Sequence, residues 1–217
     1  MRIVLLGAPG SGKGTQARQL TRKYSIPEIS TGEMLRKAIS DGAPLGRDAK
    51  MYISRGELVP DSIVLGMVHE QLRKGDCRNG YIIDGFPRNE AQAAGLDKML
   101  TAIGAPLDMA VNIEVGTEDL KRRMLGRRIC RRCGHVYNIY YLPPKKEDTC
   151  DICNGDFFQR DDDQEETINN RLAVYESQKT QLISYYNQKG ILKTVAGIGS
   201  TEDIFRQICD AVEGGRT

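Results

Sequence analysis

The stretch Gly7-Ala8-Pro9-Gly10-Ser11-Gly12-Lys13-Gly14-Thr15 decides how the rest of the chain is interpreted. It follows an apolar run at Arg2–Leu6 that predicts a β-strand, and it leads into a helical pattern over Lys13–Tyr24. Glycines let the backbone turn so that successive amide groups point inward, and the start of a helix adds partial positive charge. Because Lys13 contributes a full charge as well, the stretch predicts a loop that binds the phosphates of a nucleotide.

One position of this loop departs from its usual form. Ser or Thr normally follows the lysine directly, whereas Gly14 stands there and Thr15 comes next. The departure weakens the assignment of a hydroxyl group to Mg²⁺. The alternative, a glycine-rich turn with a solvated lysine, is disfavoured by the strand before it and the helix after it. The loop does not specify the reaction, since GTPases, ATPase motors and small-molecule kinases share it.

Strand and helix patterns alternate along most of the chain. Apolar runs rich in Ile and Val predict strands at Arg2–Leu6, Tyr81–Asp84, Ala110–Val115 and Ile191–Ala196, with a shorter candidate at Glu28–Ser30. Helical patterns cover Lys13–Tyr24, Gly32–Ser40, Ser62–Lys74, Asn89–Thr101, Thr117–Leu125, Glu165–Gln188 and Thr201–Val212, the last with Thr201 as its N-cap. This alternation predicts an α/β fold in which helices cover both faces of a parallel sheet.

Two segments interrupt the alternation. Residues 127–163 hold four cysteines, the pair Pro143-Pro144 and many charges, without a helical period. Residues 30–59 are helical and contain turn signals at Gly42–Pro44 and Gly56. We therefore expect a core built from residues 1–29, 60–126 and 164–217, interrupted by a helical insert at 30–59 and a small module at 127–163.

Length and composition exclude several classes of protein. With 217 residues, 40% hydrophobic and 28% charged, the chain has ordinary globular usage and room for one domain plus a small insert. A net charge of +2 gives no reason to expect a nucleic-acid-binding protein. The apolar run near the amino terminus, residues 3–6, is far shorter than the ~18 residues of a membrane span, so we expect a cytoplasmic protein without a membrane partner.

Four of the six cysteines form two CxxC pairs, Cys130-Arg131-Arg132-Cys133 and Cys150-Asp151-Ile152-Cys153. This spacing is typical of a tetrahedral Cys₄ zinc site, and four protein ligands leave no open position, so the site is predicted to be structural. The alternatives are chance cysteines in a loop, His135 as a competing ligand, and redox disulfides. Cys77 and Cys209 lie outside the pattern and are interpreted as ordinary residues.

A second constellation follows the strand at Tyr81–Asp84. Asp84 ends the strand, and an aspartate at that edge of the sheet, beside a phosphate loop, can hold Mg²⁺ directly or through water. Pro87 stiffens the next turn and limits where Arg88 can swing. The alternative is an ordinary turn with an exposed arginine. For this stretch alone the two interpretations are equally plausible, but the nearby phosphate loop disfavours the ordinary turn.

Three motifs together, Gly7–Thr15, Asp84–Arg88 and Arg160–Thr167, resemble those of adenylate kinase in its long bacterial form with a zinc-bearing lid. The resemblance extends from Met1 to the final helix. It implies a P-loop kinase core with a five-stranded parallel sheet, a helical AMP-binding insert and a lid. It also implies a monomer that transfers the terminal phosphoryl group of ATP to AMP with Mg²⁺, giving two ADP. A kinase for UMP or CMP is the nearest alternative, and a zinc-ribbon regulatory ATPase is a more distant one.

The resemblance also implies the site residues. ATP would be bound by Gly10, Ser11, Gly12, Lys13, Gly14, Thr15, Arg123, Arg127, Val136, Tyr137 and Gly199. AMP would be bound by Thr31, Arg36, Glu57, Leu58, Val59, Gly85, Phe86, Pro87, Arg88, Gln92, Arg160 and Arg171. The catalytic charges would be those of Lys13, Arg88, Arg127, Arg160 and Arg171, and Asp84 would steer Mg²⁺ through its waters. Asp161 is a departure, since some relatives have lysine or a small residue there.

Two spacings add expectations of their own. Arg123 and Arg127 are four residues apart and are predicted to share a helix face, with a solvated basic face as the alternative. Gln92 follows Arg88 by four residues, so on a helix the two would point the same way, which predicts that Gln92 meets the adenine edge of AMP. The alternative is a surface glutamine on an exposed helix. No histidine or carboxylate base is needed, because the AMP phosphate is already an anionic nucleophile.

Overall fold

The computed structural model of the chain describes residues 1–214. The strands within them are β1 (Arg2–Leu6), β2 (Glu28–Ser30), β3 (Tyr81–Asp84), β4 (Met109–Glu114), β5 (Arg127–Cys130), β6 (Val136–Asn138), β7 (Phe157–Phe158) and β8 (Leu192–Ala196). The α-helices are α1 (Lys13–Tyr24), α2 (Thr31–Ser40), α3 (Pro44–Arg55), α4 (Asp61–Leu72), α5 (Glu90–Ala102), α6 (Thr117–Leu125), α7 (Glu165–Gln188) and α8 (Thr201–Gly214). Short 3₁₀ turns cover Gly75–Asn79 and Asp161–Asp163.

Five of the described strands form one parallel sheet in the order β2-β3-β1-β4-β8. The predicted α/β class and five-stranded parallel core are therefore confirmed. Strand order changes direction beside β1, so the carboxyl ends of β1 and β3 lie next to each other at the edge of the sheet where open α/β folds bind ligands. None of the helices within residues 1–214 is long and apolar enough to cross a membrane.

Both faces of the sheet are buried, which explains why the strands are nearly continuous apolar runs. On one face Ile3 and Leu5 of β1 pack among residues of α1 and α8, including Leu20 and Ile208. On the other face Val4 and Leu6 pack among residues of α4, α5 and α7, including Val68, Leu96 and Leu182. Because β1 is anchored by side chains in both buried layers, the phosphate loop that follows it starts from a rigid strand.

The segment 127–163 folds as a separate antiparallel sheet in the order β6-β5-β7. We call it the lid segment, and we call residues 30–59, which contain α2 and α3, the helical insert. Both interrupt the central alternation where the sequence predicted, although Ser30 itself ends β2 of the core sheet. The division of the chain into core, insert and lid as separate units stays a prediction.

Two local predictions were wrong. Arg123 and Arg127 do not share a helix face, because α6 ends at Leu125 and Arg127 begins β5. Position 126, which follows α6, accommodates only glycine, since a Cβ there would lie 2.6 Å from the ring of Tyr140, closer than real Cβ contacts come.

The second wrong prediction concerns the start of α8. Thr201 is its first residue rather than its N-cap. The cap is Ser200, whose Oγ accepts from the amide of Asp203 at 3.1 Å, while the Asp203 carboxylate accepts from the amide of Ser200 at 3.3 Å. This reciprocal pair is a capping box, which a Ser followed three residues later by an acidic residue predicts better than Thr201 does.

Candidate active site

The predicted phosphate loop lies between β1 and α1, and its glycines meet specific steric demands. Gly7 has φ +136°, and a Cβ there would lie 2.6 Å from the carbonyl oxygen of Ile113. Gly10 has φ +84°, and its Cβ would lie 3.0 Å from the carbonyl oxygen of Leu120. Because both neighbours are backbone atoms, only glycine lets the loop turn inward at these points.

Lys13 lies inside this loop with its side chain folded over it. Its Nζ donates to the carbonyl oxygens of Gly7 at 2.7 Å and Ala8 at 2.8 Å. Burial lowers the pKa of Lys13 to about 8; the Asp84 carboxylate opposes this shift, and nearby guanidinium groups add to it. An anion bound in the loop would offset the lost hydration and favour the charged amine.

Asp84 stands directly against the start of α1. Its Oδ2 accepts from Ser30 Oγ at 3.4 Å, and a Cβ on Gly14 would lie 3.4 Å from the same oxygen. A carboxylate at this place, facing a phosphate loop, is the oxygen ligand that Mg²⁺ prefers in nucleotide sites. The residues therefore fit an Mg²⁺ ion held together with nucleotide phosphates.

The predicted arginines converge on one large cleft above the loop, although they come from different elements. Its lining includes Arg36, Arg88, Arg123, Arg127, Arg160 and Arg171. Burial, followed by repulsion from the neighbouring guanidinium groups, lowers the pKa of Arg160 to about 9. Within the described residues the Nε of Arg160 is buried and has no hydrogen-bond partner. The cleft thus holds desolvated positive charge that would be stabilised by phosphate groups.

Two buried aspartates orient part of this cluster, and sequence reasoning assigned them no role. Asp163 is fully buried and accepts from Arg127 Nε at 2.8 Å. Arg171 Nη1 donates to the carbonyl oxygen of Asp162 at 2.9 Å and lies 3.0 Å from its Oδ2. Although burial alone would raise the pKa of the Asp162 carboxyl, Arg171 and the other guanidinium groups lower it. A run of acidic residues between two predicted site arginines is the signal that could have indicated this role.

Arg123 and Arg127 occupy different parts of the cleft. Arg123 Nη2 donates to the carbonyl oxygen of Gly197 at 2.8 Å, beside the loop that contains Gly199. The ring of Tyr141 lies 5.8 Å from the Arg123 guanidinium carbon. Arg127 is instead held at Asp163, among the other arginines. Arg123 therefore lies where a flat group could stack, and Arg127 lies where charge is concentrated.

A second, smaller pocket opens beneath the helical insert. It is lined by Thr31, Arg36, Glu57, Leu58, Val59, Gly85, Phe86, Arg88, Gln92 and Arg171, all predicted for the AMP site. The remaining two predicted residues, Pro87 and Arg160, line the large cleft. Arg88 stands at the junction of the two spaces, and its Nε donates to the carbonyl oxygen of Gly85 at 2.7 Å.

Gln92 lies beside Arg88 as predicted. The prediction that the two residues share one face of a helix was wrong. α5 begins only at Glu90, after the N-cap Asn89, so Arg88 is not on the helix. Instead Gln92 Oε1 accepts from the backbone amide of Arg88 at 2.7 Å, and Nε2 donates to Asp61 Oδ1 at 2.6 Å. Gln92 is only 2% exposed, so the alternative of a surface glutamine is also wrong. Each amide atom keeps one further hydrogen-bonding capacity.

The lid segment contributes Val136 and Tyr137 to the lining of the large cleft. The Tyr137 ring is buried, and its hydroxyl accepts from the amide of Asp151 at 2.9 Å, next to the cysteines. Tyr137 can therefore meet a nucleotide only through its backbone. Residues 10–15 and Gly199 also line this cleft. The structure therefore brings together the residues that were predicted to bind ATP.

The four CxxC cysteines form one cluster, in which all four Sγ atoms lie within 4.8 Å of one another. The Sγ pairs Cys130–Cys153 and Cys133–Cys150 are 3.4 and 3.6 Å apart. A tetrahedral zinc ion with Zn–S bonds of ~2.3 Å needs sulfur atoms separated by ~3.8 Å, so the cluster fits zinc. These separations are far beyond the ~2.05 Å of a disulfide, and the cysteines are free thiols.

The four thiols do not share one protonation behaviour, since contact with neighbouring thiols raises the pKa of Cys133 and of Cys153. Burial opposes ionisation of Cys150, but the backbone amide of Ile152 and the Tyr137 hydroxyl lower the pKa of its thiol to about 6. His135, the competing ligand considered above, is not part of any metal-binding group within residues 1–214. Its ring packs edge-on against Tyr137 instead.

Comparison with known proteins identifies relatives of the whole chain. A sequence model of the family described as adenylate kinase matches residues 5–191. An adenylate kinase of Thermodesulfovibrio yellowstonii is 58% identical over 213 residues, covering 98% of this chain and 99% of that protein. Adenylate kinases of Syntrophobacter fumaroxidans and Archaeoglobus fulgidus are 51% and 48% identical, each over 208 residues and 96% of this chain, covering 98% and 96% of the respective relatives.

Proposed function

The chain belongs to the adenylate kinase family of nucleoside monophosphate kinases, and we propose that its two pockets hold ATP and AMP with the transferred phosphoryl group between them. The reaction is the reversible transfer of the terminal phosphoryl group of ATP to AMP, which gives two ADP. The relatives are adenylate kinases, so the alternative of a UMP or CMP kinase is not supported. In this proposal the large cleft takes ATP and the smaller pocket takes AMP.

The observation that carries the proposal is the convergence of Lys13, Arg88, Arg127, Arg160 and Arg171 on one cleft. Arg88 and Arg171 line both spaces, so both can contact a group that passes from one nucleotide to the other. Phosphoryl transfer needs in-line positioning and positive charge around three equatorial oxygens more than it needs covalent help from the protein. The five cations are proposed to supply that charge.

The chemistry requires no general base from the chain. The attacking group is a phosphate oxygen of AMP, which is anionic near neutral pH. What the protein must do is align this oxygen with the terminal phosphorus of ATP and keep water, the competing acceptor, out of the cleft. Asp162 and Asp163 support the alignment by fixing Arg171 and Arg127 before the nucleotides arrive.

Base recognition is proposed to follow from residues at the two ends of the site. Gln92 offers a donor and an acceptor toward the small pocket, a pair that matches the amino group and ring nitrogen of adenine. Arg123 is proposed to lie against the adenine of ATP, with the main chain at Gly199 beside it. Guanine presents the reverse pattern at the edge facing Gln92, and a pyrimidine is too short to reach it.

The helical insert and the lid segment are proposed to act as covers over a core of residues 1–29, 60–126 and 164–217. Support comes from their contacts: the end of α3 touches α7, and the lid residues Val136 and Tyr137 line the same cleft as the phosphate loop. A cover that closes only over bound nucleotides would assemble the arginines and exclude water together.

Two metals fit the proposal. Asp84 would hold Mg²⁺ through water, and the ion would neutralise charge on the phosphate oxygens of ATP. Cys130, Cys133, Cys150 and Cys153 would hold a structural Zn²⁺, which stabilises a lid segment too small for a large apolar core. We further propose that the enzyme works as a cytoplasmic monomer on ATP, AMP and ADP, without nucleic-acid or membrane partners.

The experiment that tests this function is a comparison of acceptors. The purified chain is incubated with Mg²⁺, ATP and, in turn, AMP, GMP, CMP or UMP, and the nucleotides are separated. We expect two ADP for each AMP consumed and little product from the other three monophosphates. Equal turnover of UMP or CMP would contradict the AMP assignment, and release of inorganic phosphate alone would contradict phosphoryl transfer to a nucleotide.

A further inference from the structure

The carbonyl groups at the carboxyl end of α3 accept hydrogen bonds from two sources, the turn that follows the helix and side chains of α7. The last four carbonyl groups of a helix have no partners within it. Two of those in α3 are satisfied by the turn that follows. The amide of Gly56 donates to the carbonyl of Ile53 at 3.1 Å, and the amide of Glu57 donates to the carbonyl of Tyr52 at 2.9 Å.

The other two carbonyl groups accept from side chains of α7. Thr167 Oγ1 donates to the carbonyl oxygen of Ser54 at 3.3 Å, and Asn170 Nδ2 donates to the carbonyl oxygen of Arg55. We call these four residues the α3 docking contact. All four terminal carbonyl groups of α3 are thus partnered, and half of the partners belong to α7 rather than to the helical insert.

The docking contact brings the insert against the stem of Arg171. Gly56 follows α3 with φ +72°, and a Cβ there would lie 2.9 Å from Arg171 Cγ and 2.9 Å from the carbonyl oxygen of Thr167. Glycine therefore allows an approach that no other residue would. At the far end of the same side chain, Arg171 Nη1 donates to the carbonyl oxygen of Asp162 at 2.9 Å.

We propose that Thr167 and Asn170 are positioning residues, which seat the helical insert on α7 and thereby place Arg171 at the phosphate of AMP. The proposal rests on the proposed function, because it assumes that the insert carries the AMP site. Asn170 is exposed and Thr167 is half-buried, so water can satisfy all four groups when the contact opens. The contact can therefore form and break without leaving a buried polar group unpaired, as a cover that admits AMP requires.

The test removes both donors without changing the size of either side chain. Thr167→Val removes a hydroxyl, and Asn170→Asp replaces the donating amide by a carboxylate facing the negative end of a helix dipole. Each lost hydrogen bond is worth roughly a factor of 2 to 10. The double variant is expected to raise KM for AMP about 4- to 100-fold, while KM for ATP stays within about twofold of wild type.

Two controls separate positioning from general damage. Thr167→Ser keeps the hydroxyl and is expected to leave KM for AMP near wild type. Asn169→Asp makes the same chemical change one residue away, at an exposed side chain for which no hydrogen bond occurs within residues 1–214, and is expected to leave both KM values unchanged. A control that reproduces the AMP effect would overturn the proposal.

A second measurement does not depend on activity. Hydrogen exchange at the amides of Gly56 and Glu57, followed without nucleotides, should be faster in the double variant because the end of α3 is less well held. Unchanged exchange, or equal rises of KM for AMP and ATP, would overturn the proposal. Failure of the proposed function would look different, since wild-type protein would then make no ADP from AMP while the exchange difference persisted.

Discussion

Arg127 and Asp163 form a two-point ion pair inside the cleft, in which Arg127 Nε donates to Oδ2 at 2.8 Å and Nη2 donates to Oδ1 at 2.5 Å. Asp163 also lies 3.4 Å from Arg171 Nη1. One fully buried carboxylate thus aligns two of the arginines proposed to surround the transferred phosphoryl group. Arg127 and Arg171 are therefore held in place by buried carboxylates of the protein itself.

The first prediction concerns this pair. Asp163→Asn keeps the shape but removes the charge, which leaves Arg127 buried beside a weaker partner. We expect a loss of about 3 kcal/mol in the free energy of unfolding, the scale of breaking a buried pair. We also expect kcat to fall about 10- to 100-fold, because misplaced charges no longer match the transition state. Urea unfolding and steady-state rates measure both.

The matched control is Asp161→Asn, two positions earlier. Asp161 is exposed and forms no ion pair within the described part of the chain, so stability and kcat should stay near wild type. An Asp163→Asn enzyme with normal kcat would show that the carboxylate does not orient the catalytic arginines.

The second prediction concerns pH and Glu28, which stands on β2 near Asp84. Burial raises the pKa of Glu28 from 4.5 to about 7, and the Asp84 and Glu33 carboxylates add to the rise against an opposing effect of Arg18. The folded state therefore holds this proton more tightly than the unfolded state. Stability is lost as pH rises from about 4.5 to about 7, and the loss is complete above that window.

Glu28→Gln removes the ionisation and should therefore be more stable than wild type at pH 8, with a much smaller difference at pH 5. Thermal unfolding at both values measures this. Glu70→Gln makes the same change in net charge at an exposed position of α4 and serves as the control. A difference between Glu28→Gln and wild type that is equal at pH 5 and pH 8 would contradict the prediction.

The third prediction concerns the cysteine cluster. The purified protein should contain about one Zn²⁺ per chain. Replacing Cys130 and Cys133 by serine should abolish metal binding and lower the melting temperature, while the core stays folded because the cluster lies wholly in the lid segment. Cys209→Ala should keep the metal. A metal-free wild-type protein with unchanged stability would rule out a structural role for zinc.

The fourth prediction concerns Gln92. Gln92→Leu removes the contacts to the Arg88 amide and to Asp61, together with the pair offered to adenine. We expect AMP use to weaken by ~1–3 kcal/mol, the cost of unmet buried hydrogen bonds, with little change in ATP binding. Steady-state kinetics with each nucleotide varied in turn measures this. A variant with unaltered AMP kinetics would remove Gln92 from the base site and leave the reaction itself unaffected.

The sequence predicted those features that depend on local pattern. Continuous apolar runs predicted the strands, the glycine spacing before Lys13 predicted the phosphate loop, and the two CxxC pairs predicted the cysteine cluster. Boundaries that depend on tertiary packing were predicted poorly. Directly after α6, Gly126 packs against Tyr140 of the lid segment, fourteen residues later in the chain, and this contact leaves no room for a side chain.

The same limit applies to the site. Arg88 and Gln92 meet through a backbone amide and a side-chain oxygen in front of a helix, a geometry that helical spacing does not describe. The α3 docking contact could not be predicted either, because its partners are distant in sequence and are brought together only by the fold. Residue types in a motif indicate chemistry, whereas the side chains that orient them become visible only in three dimensions.

The central claim is that Lys13 and the converging arginines stabilise a phosphoryl group passing from ATP to AMP. The most direct measurement compares ADP formation by wild type and by Lys13→Met, a change that keeps side-chain length and removes the charge. We predict two ADP per AMP consumed by wild type, and turnover at least ~10²-fold lower in the variant, with AMP binding retained in equilibrium titration. Turnover of the variant within a few-fold of wild type would contradict the account.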